Sequence, residues 1–230
     1  MASHLEAAGV DSSSVPSLAM GLSPPLLYNA AAKIGEGSRV QTPWLHDFLS
    51  DPSHKIRPWL DLRMPTFEFT EDELNTLTRF FAAMDGVPYP YDPKPALDPA
   101  MVATGHDLFT RWQCIKCHVV AGKLPNQDPS NMAPDLANVP SRLRADWLPL
   151  WLADPGHIQP GTKMPANFPA NPEENAFPEI LGGDQKAQIE AVRSYLLTLG
   201  PAGLQARPGA PAVPHAGKTA STAPTSGPGR

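Results

Sequence analysis

Hydrophobic residues recur at helical spacing in three segments of the chain. Between residues 70 and 86 they are three, four and three residues apart, and the other two stripes show similar steps. Such steps place side chains on one face of an α-helix, so each stripe predicts an amphipathic helix. The stripes are Leu74, Leu77, Phe81 and Met84; Val102, Gly105, Phe109 and Trp112; and Ile189, Val192, Leu196 and Leu199.

Polar residues and prolines mark where these helices begin. Thr70 and Glu73 have the spacing of a capping box, in which each side chain bonds the other's backbone N–H. Asp98 is a suitable N-cap, and Pro99 suits the first helical position, where its missing N–H costs nothing. The last helix begins near Asp184. The predicted stops are two glycines, Gly86 and Gly200.

One phrase of the sequence occurs twice. Residues 42–65 and 145–165 share the pattern WL…DP…H…MP, and each is followed by a predicted helix that ends at glycine. We therefore expect two related units, residues 23–86 and 99–200. The matched pairs are Trp44 and Trp147, Leu45 and Leu148, Phe48 and Trp151, Leu49 and Leu152, Asp51 and Asp154, Pro52 and Pro155, His54 and His157, Met64 and Met164, Pro65 and Pro165, and Phe67 and Phe168.

Composition defines the segments outside these units. The 29 prolines among 230 residues favour short helices with long loops, so we expect an all-α fold. Residues 1–22 are predicted to be an irregular N-terminal segment, 87–98 a stiff proline-rich linker, and 201–230 a disordered tail.

Charge and hydropathy exclude several classes of function. The formal net charge is -5 and no basic run indicates nucleic acid. No window of 18 apolar residues predicts a transmembrane helix in this chain. The first residues lack the cationic start of a signal peptide, and prolines interrupt the apolar stretch that follows.

The motif Cys-x-x-Cys-His occurs once, at residues 114–118, and contains both cysteines of the chain. Its spacing is the attachment signature of c-type haem: two thiols on one turn reach the porphyrin vinyl groups, and His118 then lies beneath the iron. The alternatives are a redox cysteine pair, half of a zinc site, or chance. A zinc site usually needs a second cysteine pair, and a thioredoxin-like site needs a βαβ pattern. Neither is present, so the motif predicts one covalent haem c.

Residues 99–200 resemble the class I cytochromes c. Gly105 and Phe109 precede the motif, and Pro134-Asp135-Leu136 follows it. The segment 160–164, PGTKM, is very similar to the methionine loop of mitochondrial cytochrome c, and the last helix carries Tyr195-Leu196. An insertion at residues 167–183 departs from the family pattern.

The resemblance assigns roles to individual residues. It implies that Cys114 and Cys117 form the thioethers, and that His118 and Met164 are the two axial ligands of the iron. It also implies that the Pro134 carbonyl accepts the Nδ1–H of His118, and that Thr162 bonds a haem propionate. These are the cofactor-binding residues that we predict: Cys114, Cys117, His118, Met164, Pro134 and Thr162.

Other polar and aromatic residues have less specific interpretations. Arg142 and Arg144 either neutralise propionates or form an exposed charged face. For His157, a structural role in the Asp-Pro turn is favoured over iron ligation. Trp147 and Trp151 are typical of core positions, which in a haem protein also form the cofactor wall.

The first unit retains Met64 but has no cysteine, so it cannot hold a covalent haem of its own. One interpretation, which we favour, is a degenerate cytochrome unit used for docking or structure. A second is a chain cut from a longer precursor. A third is that another polypeptide supplies a haem that Met64 ligates.

The resemblance implies one-electron transfer, because histidine and methionine fill both axial positions. We expect a subunit or docked carrier of a membrane respiratory or photosynthetic complex, bound through residues 23–86, in the periplasm or at the outer face of the cytoplasmic membrane. The alternatives are a haem protein in which Met164 leaves and a small molecule binds or reacts, and an assembly subunit with an incidental redox role.

Overall fold

The computed structural model describes residues 35–52, 57, 64–91, 95–121, 123, 128 and 131–200. Their regular structure is helical, and their extended pairings are isolated bridges, which confirms the all-α prediction. None of the helices in these ranges is both long enough and apolar enough to cross a membrane. The helices are α1 (Glu36–Arg39), α2 (Thr42–Ser50), α3 (Glu71–Met84), α4 (Pro99–Arg111), α5 (Val139–Arg142), α6 (Leu148–Ala153), α7 (Pro155–Ile158) and α8 (Gln185–Leu196).

Several predictions lie outside the described residues. These predictions concern the segment 1–22, the tail 201–230 and His54. Short 3-10 helices complete the described part of the chain: Cys114–Lys116, Leu136–Asn138, Pro172–Glu174 and Leu181–Gly183.

The C-terminal unit is built on the crossing of α4 and α8. A Cβ atom at Gly105 would lie 2.0 Å from the carbonyl oxygen of Ala191, so only glycine permits this approach of the two backbones. Apolar faces of α4, α6 and α8 meet around the crossing and form one core. Its buried residues include Leu108, Phe109, Leu148, Leu152, Ile189, Val192 and Leu196.

The predicted helix starts are confirmed. The Asp98 side chain accepts a hydrogen bond from the Ala100 N–H at 2.9 Å, with Pro99 in the first turn. Thr70 and Glu73 form the reciprocal capping box at the start of α3. These interactions satisfy backbone donors that have no partner within the helix.

The predicted stops differ between the two helices. Gly86 follows α3 in the left-handed conformation, at φ 64°, and Val87 N–H bonds back to the Ala82 carbonyl at 3.0 Å. This is a Schellman ending, as expected for glycine. The prediction for Gly200 was wrong, because α8 ends at Leu196. There the chain closes with tighter turns, such as Thr198 N–H to the Tyr195 carbonyl at 2.9 Å, which need no left-handed residue.

The described part of the N-terminal unit consists of α1, α2 and α3. A Cβ atom at Gly37 in α1 would lie 2.0 Å from the carbonyl oxygen of Phe81 in α3, the same close approach as in the other unit. On α2 the rings of Trp44 and Phe48 stack with centroids 4.8 Å apart. Their counterparts Trp147 and Trp151 stack at 5.3 Å, so both units share this aromatic arrangement.

The two units meet at an antiparallel bridge between Val40 and Leu143. Gln41 N–H donates to the Arg142 carbonyl, and Arg144 N–H donates to the Arg39 carbonyl, both at 2.8 Å. The side chain of Arg144 is 1% exposed, and its Nε donates to the Val40 carbonyl at 3.0 Å. The units are therefore held together by backbone pairing and by a buried guanidinium.

The described part of the linker contacts both units and is not a free spacer. Pro88 carbonyl accepts a hydrogen bond from the Arg144 guanidinium at 3.2 Å. The Tyr91 hydroxyl accepts from Ala145 N–H at 2.8 Å and donates to the Asp146 carboxylate at 3.1 Å. Polar groups of the linker therefore take part in the junction, on one side with Thr42, whose hydroxyl accepts from Tyr91 N–H at 3.2 Å, and on the other with residues 144–146.

Buried amides hold the inserted segment, residues 167–183, against α8. Gln188 is fully buried, and its Nε2 donates to the carbonyls of Phe177 at 3.0 Å and Ile180 at 2.8 Å. Its Oε1 accepts from the Asn175 side chain at 2.8 Å. Buried polar groups with partners define a unique arrangement, so the insertion is an ordered part of the domain.

Candidate functional site

The two cysteines lie on a tight turn directly after α4. Gln113 turns the chain in the left-handed conformation, at φ 54°, and the 3-10 helix Cys114–Lys116 follows. Cys117 N–H and His118 N–H both donate to the Cys114 carbonyl, at 3.2 and 3.0 Å. This compact turn therefore places the two cysteines and His118 within one short, tightly folded segment of the chain.

The two thiols differ in environment. Cys114 is half-buried and packs against the main core, whereas Cys117 is exposed; both are free. Burial raises the pKa of the Cys114 thiol from 9.0 to about 11, with a smaller contribution from Cys117. One cysteine therefore lies against the apolar interior, and the other lies at the surface.

His118 is oriented by a backbone carbonyl. Its Nδ1 lies 2.9 Å from the Pro134 carbonyl oxygen, and this geometry is that of Nδ1–H donating to the oxygen. Ala133 N–H donates to the Cys117 carbonyl at 2.7 Å and so fixes the loop that supplies this acceptor. Burial lowers the pKa of His118 below its usual 6.5, while the bond to Pro134 opposes the change. A neutral ring with Nδ1–H leaves Nε2 as the atom that can bind a metal.

Met164 ends a compact loop after α7. Gly161 has φ 85°, Thr162 N–H bonds the Gln159 carbonyl at 3.1 Å, and Met164 N–H bonds the Thr162 hydroxyl oxygen at 3.3 Å. The Thr162 hydroxyl thus accepts one hydrogen bond and keeps its own proton for another acceptor. Met164 is half-buried and packs against the same core as Cys114.

Trp151 contacts the sulfur of Met164. Its indole Nε1 lies 2.9 Å from the Met164 Sδ, and its ring stacks on the buried Trp147. The Trp151 indole is thus held by stacking on Trp147, and its single donor, Nε1–H, points at the sulfur of Met164, the predicted ligand. Sequence reasoning placed Trp151 at the core or cofactor wall and missed this contact, because spacing does not show where an indole N–H points.

Neither Arg142, at the end of α5, nor Arg144, two residues later, belongs to an exposed charged face. Arg144 is buried at the junction of the units. Arg142 is largely buried, and its guanidinium lies 4.9 Å from the centroid of the Trp44 ring. The Nε of Arg142 is buried without a hydrogen-bond partner. Charged donors in this state are suited to an anionic group.

The second histidine has no ligand geometry. The Asp154 carboxylate accepts a hydrogen bond from His157 N–H at 3.0 Å and caps α7, while the imidazole is exposed. It is the backbone of His157 that takes part in the Asp-Pro turn. Met64 is half-buried, and residues 58–63, which precede it in the sequence, lie outside the described ranges.

The insertion packs beside the attachment turn. Phe177 lies edge-on to Trp112 with centroids 5.0 Å apart, and Phe168 lies 6.0 Å from the same ring. Trp112 directly precedes the Gln113 turn, so the insertion covers the end of α4 that leads into the cysteines. The insertion therefore adds apolar side chains to this end of the domain.

These residues fit a covalently attached haem. The donor set consists of two thiols, an imidazole and a thioether, and two of its members, Cys114 and Met164, pack against one apolar core. The buried Nε of Arg142, which has no hydrogen-bond partner, is available for a carboxylate. Within the described residues no group of three or more histidine, cysteine, aspartate or glutamate side chains has the arrangement of a metal-ion site.

Comparison with known proteins supports the same assignment for this region. Residues 102–200 match the family model described as cytochrome c. A region of 100 residues is 29% identical to the cytochrome c oxidase subunit 2 of Bacillus subtilis (strain 168), covering 39% of this chain and 28% of that protein. No solved structure matches. Residues 102–200 therefore form a cytochrome c-like domain, and such a domain implies a covalently bound haem c.

Proposed function

We propose that this protein transfers single electrons through one haem c, attached at Cys114 and Cys117 and ligated by His118 and Met164. The observation that carries the proposal is the contact of His118 Nδ1 with the Pro134 carbonyl at 2.9 Å. It sets the tautomer in which Nε2 is free to bind iron. When bound, the haem supplies the one-electron chemistry, and the protein supplies ligands and surroundings.

The residues of the chain favour electron transfer over catalysis. His118 and Met164 would fill both axial positions, so no coordination site would remain for a substrate. Trp151 holds the Met164 sulfur at 2.9 Å, which opposes loss of this ligand. The buried core beside Cys114 and Met164 excludes water, and water exclusion together with a methionine ligand raises the reduction potential.

The N-terminal unit is proposed to be a haemless docking module. Both cysteines of the chain belong to residues 114–118, so residues 23–86 have no site for covalent attachment. The start of α3 exposes Glu71 and Asp72, while the junction surface of this unit is occupied by the cytochrome c-like domain. The exposed acidic end is available to a basic partner surface.

We further propose that the protein works as a subunit or docked carrier of a membrane respiratory or photosynthetic complex. The support is the partial similarity to an oxidase subunit 2, of which the chain covers 28%. The corresponding location is the periplasm or the outer face of the cytoplasmic membrane, where c-type haem is attached.

Intact mass and pyridine haemochrome spectra test the cofactor. One haem per chain is expected, and a mass equal to that of the bare polypeptide would contradict the proposal. Ligation is tested by Met164→Ala, which should abolish the weak red absorption band of oxidised iron–methionine coordination and allow carbon monoxide to bind. Met64→Ala is the matched control and should leave both properties unchanged. Rapid carbon monoxide binding by the unmodified protein would favour a ligand-binding haem protein instead.

Docking is tested by reversing the exposed charge at Asp72. Asp72→Lys should weaken binding to membranes that contain the partner complex, and the haem spectrum should stay the same. Glu173→Lys, an exposed change outside the N-terminal unit, makes the same change in net charge and serves as the control. Equal binding by the unmodified protein and the Asp72 variant would count against docking through this end of the unit.

A further inference from the structure

Three arginines and one glutamate lie together where the two units meet. Arg142 is electrostatically coupled to Arg39, Arg57 and Glu36. Glu36 forms an ion pair with Arg39 in the same short helix. Positive charge is thus in excess at this junction, which includes residues of both units.

Some guanidinium N–H donors of this cluster have no hydrogen-bond acceptor. The Nε atoms of Arg39 and Arg142 are both buried and lack hydrogen-bond partners. Among the described residues, the Arg142 side chain has no hydrogen bond or ion pair, and its guanidinium lies over the face of Trp44, 4.9 Å from the ring centroid. An arginine stays protonated in proteins, so a buried guanidinium without an acceptor carries a large desolvation cost.

Burial and like charge act on Arg142 in the same direction. Burial is the main cause that lowers the pKa of Arg142 to about 10; the charges of Arg39 and Arg57 act in the same direction, and Glu36 opposes them. An anion placed between the guanidinium groups would remove the repulsion and satisfy the free donors at once.

The two arginines occupy equivalent places in the units. Arg39 follows Ser38 and precedes Val40, as Arg142 follows Ser141 and precedes Leu143, and each stands five residues before the tryptophan of its unit. Their carbonyl oxygens accept the two hydrogen bonds beside the Val40–Leu143 bridge, each at 2.8 Å. The backbone pairing therefore brings the equivalent side chains to one place.

We propose that Arg39 and Arg142 form an oxyanion-binding site at the junction of the two units, with Trp44 holding the Arg142 guanidinium. The ligand is a carboxylate or phosphate group, which the planar fork of arginine binds through two hydrogen bonds. Two sources supply such a group: a propionate of the haem in the cytochrome c-like domain, or a free oxyanion. The first source rests on the proposed function, and the second does not. In either case the N-terminal unit contributes Trp44 and Arg39 to a binding site.

The test uses the full-length protein as purified, with its haem content measured. Inorganic phosphate is titrated calorimetrically against chloride of matched ionic strength, and the reduction potential is measured as a function of pH. The variants are Arg142→Gln, Arg39→Gln and Trp44→Leu. Arg79→Gln is the control, because it removes one positive charge from the N-terminal unit at a site beside Tyr89 and away from the cluster.

A free oxyanion predicts that the unmodified protein binds phosphate. Arg142→Gln and Arg39→Gln should each weaken the affinity about tenfold or more, since a hydrogen bond to a charged group contributes about 1.5–3 kcal/mol. Trp44→Leu should weaken it less, and Arg79→Gln should match the unmodified protein. A haem propionate predicts no phosphate binding, but a shifted pH dependence of the potential in Arg142→Gln and not in Arg79→Gln.

The proposal is overturned if phosphate does not bind and the variants of Arg142 and Arg39 show the same pH dependence as Arg79→Gln. Haem content and the methionine band are read separately, so loss of the proposed haem function is distinguishable from loss of this site. If Arg142→Gln fails to assemble, Arg142→Lys takes its place. Lysine keeps the charge but not the paired donors, so the same loss of phosphate affinity or the same shift is expected.

Discussion

Val40 and Leu143 pair in an antiparallel bridge and stand at equivalent positions of the two units, 103 residues apart in the sequence. The same offset separates Trp44 from Trp147 and Asp51 from Asp154. Contacts between equivalent residues are the mark of an isologous interface, in which each side presents the same surface to the other. The two hydrogen bonds that flank the bridge repeat this relation, each at 2.8 Å.

Arg144 is predicted to be essential for the junction. Arg144→Ala removes hydrogen bonds to the carbonyls of Val40 and Pro88 and the contact with the Tyr91 ring, 4.1 Å from the guanidinium. Because the Val40 carbonyl stays buried without its donor, we expect a loss of about 3 kcal/mol in the free energy of unfolding, measured by urea denaturation. Arg79→Ala, at a half-buried position, should cost less than about 1 kcal/mol. Equal stability of the two variants would contradict this assignment.

Two glycines are predicted to be irreplaceable for the same reason. Gly105→Ala and Gly37→Ala each place a methyl group 2.0 Å from a backbone oxygen, in different units. Because a helix backbone must move to relieve the overlap, we expect each change to cost about 3 kcal/mol in thermal or urea unfolding. Gly156→Ala is the control, since its nearest neighbour would be 3.6 Å away. If Gly105→Ala has the same free energy of unfolding as Gly156→Ala, the backbones of α4 and α8 do not approach as closely as described.

Trp151 is predicted to retain the methionine ligand. Trp151→Phe keeps the stack on Trp147 but removes the donor that lies 2.9 Å from the Met164 sulfur. A hydrogen bond is worth about 1 kcal/mol, so added imidazole should displace Met164 about fivefold more readily, as followed by loss of the iron–methionine band. Trp147→Phe keeps the donor and serves as control. Unchanged competition by imidazole in Trp151→Phe would show that the contact does not hold the ligand.

Asp85 is predicted to make stability depend on pH. Its carboxylate accepts a hydrogen bond from Ser38 N–H at 2.7 Å, yet burial raises its pKa above the usual 3.8, and the bonds from Ser38 and Gly37 only oppose this. A raised pKa in the folded state contributes stability below 3.8 that is lost as the pH rises through the folded value. Asp85→Asn, which stays neutral, should therefore be more stable than the unmodified protein at neutral pH, and the difference should vanish in acid.

The free energies of unfolding of Asp85→Asn and of the unmodified protein are compared by urea denaturation at neutral pH and in acid. Asp72→Asn, at an exposed position, is the control. A variant that is less stable at neutral pH would mean that the hydrogen bonds to the charged carboxylate outweigh its burial.

The sequence by itself determined those features that a few neighbouring residues encode. Asp98 with Pro99, and Thr70 with Glu73, predicted helix starts that the structure confirms, because a cap needs only the first turn. The Cys-x-x-Cys-His spacing likewise indicated its cofactor from one turn of chain. The all-α class followed from helical periodicity and proline content.

Only the tertiary structure decided which surfaces meet. From the sequence, Arg144 was expected either to neutralise a propionate or to lie on an exposed face, but it is buried and donates to the carbonyl of Val40, 104 residues away. The end of α8 followed local tight turns and not Gly200, since a helix can close without glycine. The indole of Trp151 reaches the Met164 sulfur because the loop between them folds back. Spacing along the chain fixes which side chains share a face, but packing between distant segments fixes what that face touches.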